Sequence, residues 1–101
     1  MNRIIIATLA LALAGTVGSA VAGDAAAGKA RFATCAGCHG PTGAGNPPTY
    51  PAIKGQTAEY VATQLKAFKA GSRQNPTMQA MVAALSEADM ENLGAYIATL
   101  Q

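Results

Sequence analysis

The chain has 101 residues, two cysteines, one histidine and no tryptophan, a length that suits one compact domain rather than two. Its 7 Lys and Arg against 5 Asp and Glu leave a net charge of only +2, without an acidic or basic block, so the concentrated basic footprint of a nucleic-acid binder is missing. Half of the residues are hydrophobic but only 5% are aromatic; alanine fills much of that share, and so thin a core usually needs a disulfide, a metal or another staple.

Met1-Asn2-Arg3 is a short basic start and Ile4 to Ala14 is an uninterrupted apolar stretch, the pattern of an export signal. Gly15, Gly18 and Ser19 loosen the chain, and Ala20-Val21-Ala22 supplies a small-x-small cleavage sequence. This predicts a signal peptide over residues 1–22 and a mature domain over 23–101. The competing reading is an uncleaved anchor helix, since Ile4 to Ala22 carries no charge and is about long enough to span a bilayer. The first cysteine, Cys35, is too far from the apolar run to be a lipid-attachment site. Removing residues 1–22 takes away only Arg3 among the charges and leaves the domain near neutrality.

Four helical stretches follow. Asp24 can cap a first helix running to about Thr34 through Ala25, Ala26, Ala27, Lys29, Ala30 and Arg31, all tolerant of helix. A glycine- and proline-rich loop, Gly40 to Pro51, comes next. Thr57 to Ala70 is a second helix, with Thr57 as N-cap, Gly71 as terminator and Tyr60, Val61, Leu65 and Phe68 as one apolar stripe. Asn75 to Leu85 reads as a turn and a short helical piece entered through Pro76. The last helix starts at Ser86, where Ser86 and Asp89 have the spacing of a capping box, and aligns Met90, Leu93, Ile97 and Leu100. No period-two strand is visible, so the expected fold class is all-α.

Chemistry concentrates at Cys35-Ala36-Gly37-Cys38-His39, the C-x-x-C-H pattern of covalent haem attachment. Two thiols three residues apart can each form a thioether with one vinyl group of a porphyrin, and the adjacent His39 can then offer Nε2 to the iron. Gly37 keeps the bridge small. A thioredoxin-like redox pair would want a strand ahead of Cys35. A closed zinc site needs four ligands, and two cysteines with one histidine would have to recruit a carboxylate. A Cys35–Cys38 disulfide would close only a tiny loop. For the second axial position Met78 and Met81 are three residues apart and share a face, while Met90 lies inside the last helix. Met78 follows the Asn75-Pro76-Thr77 turn, whose irregular backbone can aim a side chain.

These pieces together resemble the class I cytochromes c, particularly the small bacterial monohaem type and the single lobes of dihaem cytochromes c. The resemblance runs from Gly23 to Leu100. It includes Gly28 and Phe32, the Cys35-to-Gly40 motif, Tyr50-Pro51-Ala52-Ile53-Lys54-Gly55-Gln56, Leu85-Ser86, and Leu93-Gly94-Ala95-Tyr96-Ile97. It implies a fold wrapped around one covalent haem c, with first and last helices crossing steeply near Gly28 and Tyr96. It implies His39 and Met78 as iron ligands, Met78 matching the family's ligand position ahead of Ser86, with Met81 packed beside the haem. It also implies that the carbonyl of Pro48 accepts the Nδ1 proton of His39. Gly94 stands where alanine is common in the family and is expected to weaken the last helix slightly.

The implied function is a periplasmic electron carrier, not an enzyme, shuttling single electrons between a redox protein donor and acceptor such as an oxidase, a reductase or a membrane cytochrome complex. A monomer is expected, without stable membrane insertion after cleavage. Electrons would pass through the haem edge near Cys38, and Lys54, Lys66, Lys69 and Arg73 are candidates to orient acidic partners. Two rivals use the same haem: a permanently docked subunit of a larger oxidoreductase, and a haem enzyme or gas sensor with an open sixth position. The last would usually show a distal acid-base residue, and the chain has no second histidine.

Overall fold

The structure, a computed structural model, describes residues 23–101; the expected signal peptide and its cleavage point lie outside the described residues. Within them the chain forms α1 (Ala25–His39), α2 (Ala58–Ala70), α3 (Pro76–Val82) and α4 (Glu87–Ile97). The only extended pairing among the described residues is an isolated bridge between Asn46 and Tyr50.

Each helix begins at a side chain that satisfies backbone N–H groups otherwise left without partners. Asp24 accepts from Ala26 and Ala27, Thr57 from Tyr60, and Asn75 from Met78. Ser86 and Asp89 form the reciprocal capping box. Gly71, at φ 81°, ends α2 in the left-handed conformation. One boundary differs from expectation: α1 continues past Thr34 through the whole cysteine motif to His39, where the Gly40 N–H closes on the Ala36 carbonyl at 3.0 Å. The buried positions explain this, since Gly28, Phe32 and His39 extend one stripe along α1 into the motif.

Helix α4 is the centre of the packing, meeting both α1 and α2, while α3 packs on α2. Phe32, Val61, Leu65, Phe68, Val82, Met90, Leu93 and Ile97 form the core, and Phe32 lies 5.1 Å from Tyr96, centroid to centroid, at a tilted 58°. Each fully buried large side chain contributes roughly 1.5–3 kcal/mol. The α1–α4 crossing requires Gly28: a Cβ there would strike the Asn92 carbonyl and come within 2.9 Å of Tyr96 Cβ. Asp24 N–H adds a 2.8 Å bond to Asn92 Oδ1.

Gly94 has a different role from the expected weak spot. A Cβ at Gly94 would lie 2.6 Å from the Ala58 carbonyl oxygen, so the missing side chain lets the start of α2 sit directly on α4. Its propensity cost of about 1 kcal/mol is offset by that close approach.

Candidate functional site

Helical geometry places Cys35 and Cys38 on neighbouring positions of one α1 face, with His39 one residue beyond Cys38 at the helix end. Both cysteines are free thiols, so the structure contains no Cys35–Cys38 disulfide. Cys35 packs against the core, and burial pushes its thiol above the ordinary value. Such an apolar setting suits a thioether better than a thiolate.

His39 is buried, at 8% exposure, and its Nδ1 lies 2.8 Å from the carbonyl oxygen of Pro51. A carbonyl can only accept, so Nδ1 carries a proton, and of the two neutral tautomers the bond selects the one whose Nε2 has the free lone pair. This corrects the expectation for Pro48: the oxygen that orients the ring belongs to Pro51, and Pro48 is exposed. The loop between explains the change. Gly45 N–H donates to the His39 carbonyl at 2.7 Å, Asn46 and Tyr50 bond to each other, and the Gly43 carbonyl accepts from both Ile53 and Lys54. The loop therefore folds back on the end of α1 and delivers Pro51 to the ring. Gly45, at φ 67°, has no room for a Cβ, which would lie 2.5 Å from the Tyr50 carbonyl oxygen. The Gly43-Ala44-Gly45 sequence was the available signal for this tight return.

The methionines differ sharply in environment. Met90 is 4% exposed inside the core, while Met81 is 48% exposed. Met78 is half-buried against the core, and its own N–H donates to Asn75 Oδ1 at 3.0 Å. Cys35, Ala36, Ile53, Leu85 and Leu100 are likewise only partly covered. An incompletely covered apolar shell, two free thiols and an oriented imidazole are what covalent haem requires, so the residues fit that group. Among the described residues no cluster of three His, Cys, Asp or Glu side chains is placed to hold a metal ion by itself.

An all-helical domain with this motif at the end of its first helix defines a haem-attachment domain. The cytochrome c family model matches residues 25–101, and the chain belongs to the cytochrome c family, in its class I form. It is 41% identical over 78 residues to cytochrome c-554(548) of Halomonas halodenitrificans, covering 74% of this chain and 94% of that protein. It is 36% identical over 99 residues to cytochrome c4 of Pseudomonas aeruginosa, covering 98% of this chain but 49% of that protein. The crystal structure of reduced recombinant cytochrome c4 from Pseudomonas stutzeri superposes with a TM-score of 0.72 at 36% identity, over 76% of this chain and 48% of that one. The chain thus spans about half the length of the cytochromes c4 it matches. Membership implies covalent haem c with its iron, and a role in electron transfer. No helix among the described residues is long and apolar enough to cross a membrane.

Proposed function

We propose that the chain is a periplasmic carrier of single electrons between a redox donor and acceptor, with haem held by thioethers at Cys35 and Cys38 and its iron ligated by His39 and Met78. The observation that carries the reading is the His39 to Pro51 hydrogen bond. It fixes the tautomer, turns the ring and raises the basicity of Nε2, as second-shell carbonyls do for histidine ligands.

Bound haem supplies a one-electron iron couple. His39 and Met78 would occupy both axial positions and leave none open for a substrate, which favours a carrier over an enzyme or gas sensor. A thioether ligand raises the potential relative to a second histidine. The two cysteines lock the group to α1, so neither oxidation state can lose it. Asn75 holds the backbone of Met78 at the start of α3, which limits rearrangement on electron exchange.

Spectra of the purified exported protein test this directly. The haem should survive denaturation and acid-acetone extraction, and the low-spin spectrum should be indifferent to carbon monoxide. Met78→Ala should abolish the weak near-infrared band of iron–sulfur ligation and lower the potential, while Met81→Leu should change neither. The opposite pattern would move the ligand to Met81, and extractable haem would refute covalent attachment.

A further inference from the structure

Three stretches of chain meet at the buried Gly43. Its carbonyl accepts from the N–H groups of Ile53 at 2.8 Å and Lys54 at 3.1 Å, and the Gly55 N–H donates to the Leu100 carbonyl at 2.8 Å. Leu100 is in turn tied to α4, its own N–H donating to the Ile97 carbonyl at 2.9 Å. A Cβ built on Gly43 would lie 3.3 Å from Ile53 Cγ1 and 3.3 Å from Leu100 Cδ1, so these two side chains close over one glycine. Both are also packed against the core.

This junction lies just beyond the oxygen that orients His39. Pro51 is two residues before Ile53, and both Pro51 and Ala52 are exposed. Their side chains bury too little apolar surface to hold the Pro51 carbonyl in place, so the chain on either side must do it. Ahead of Pro51, the bridge between Asn46 and Tyr50 shapes the loop but is itself exposed. After Pro51, Ile53 and Gly55 tie the segment to the rest of the fold, and Leu100 serves both. Its side chain closes over Gly43 beside Ile53, and its carbonyl holds Gly55.

We infer that Leu100 is a positioning residue for the iron ligand His39: it holds the 53–55 segment on Gly43 and so keeps the Pro51 carbonyl on His39 Nδ1. A hydrogen-bonded Nδ1 makes Nε2 the stronger donor, which favours the oxidised iron. Loosening that bond therefore raises the potential. The inference rests on His39 ligating the iron, as proposed above.

The holoprotein tests it with two readouts that core filling alone would not move. In Leu100→Ala the His39 Nδ1 proton of the reduced protein, followed by NMR well below the unfolding transition, should exchange with solvent about tenfold faster through local opening. The potential should rise with it. Leu100→Val should show the same changes to a smaller degree. Leu100→Met conserves the apolar volume and should return both readouts to wild-type values. Asp24→Ala removes the cap at the opposite end of the 15-residue α1 and should lower Tm while leaving proton exchange and potential unchanged. A Leu100→Ala protein that loses Tm alone, or equal shifts in Asp24→Ala, would overturn the positioning role while leaving His39 as ligand. If His39→Ala kept the wild-type low-spin spectrum, the ligand reading would fail and the role of Leu100 with it.

Discussion

Gly28→Ala is a sharp test of how α1 and α4 are joined. The added methyl meets the Asn92 carbonyl and Tyr96 Cβ, both on α4, and the first is backbone. A flexible side chain could swing aside, but a helix backbone cannot, so relief requires lifting α1 off α4. That movement loosens the Phe32–Tyr96 contact and the bond from Asp24 N–H to Asn92. Overpacking of this kind costs about 1–3 kcal/mol, and the rigid obstacle places it at or above the upper end. Alanine returns about 1 kcal/mol of helix propensity, leaving a net loss of about 2 kcal/mol. In a domain of this size each kcal/mol moves Tm by about 4–8 °C, so a fall of roughly 10 °C is expected in thermal unfolding of the ferric holoprotein by far-ultraviolet circular dichroism. Gly37→Ala is the matched control. It also lies within α1, but an added Cβ finds nothing within 4 Å, so Tm should rise by a few degrees at most. An unchanged Tm for Gly28→Ala, or equal shifts at the two glycines, would refute the reasoning.

Asn75→Ala removes the cap of α3 and should cost about 0.5–2 kcal/mol; because the lost bond is to Met78 N–H, the near-infrared band should fade on heating before the circular dichroism changes. Asp89 has its carboxyl held below the usual range, first by the Ser86 N–H and then by the Ser86 hydroxyl, with Arg31 adding to the effect. A depressed carboxylate stabilises above its unfolded value and loses that contribution as pH falls through the folded one. The stability difference between wild type and Asp89→Asn should therefore be present at neutral pH and vanish in acid; a constant difference across that range would refute the linkage. Pro48→Ala should leave the His39 Nδ1 proton resonance and the potential nearly unchanged, since the accepting carbonyl is that of Pro51.

The amino-acid sequence by itself determined what depends on neighbours a few residues apart. Asp24, Thr57, Asn75 and Ser86 cap helices through backbone groups two or three residues away, and such short loops form the same way wherever the chain goes. The pairing of Cys35 and Cys38 with His39 is equally local, which is why the cofactor was legible at once. The extension of α1 to His39 was less so, because glycine at Gly37 and Gly40 argues against helix until the buried stripe is seen. What only the tertiary structure decided involves distant partners. The oxygen that orients His39 is 12 residues away, and choosing Pro51 over Pro48 required the fold of the Gly43–Gly45 return. Gly94 reads as a weak point in isolation and becomes a contact surface only when Ala58 lies across it. Met78, Met81 and Met90 are chemically identical, and spacing alone cannot rank their burial. The packing of α3 on α2 and of α4 in the core separates them, because the environment of a side chain is a property of the elements that enclose it.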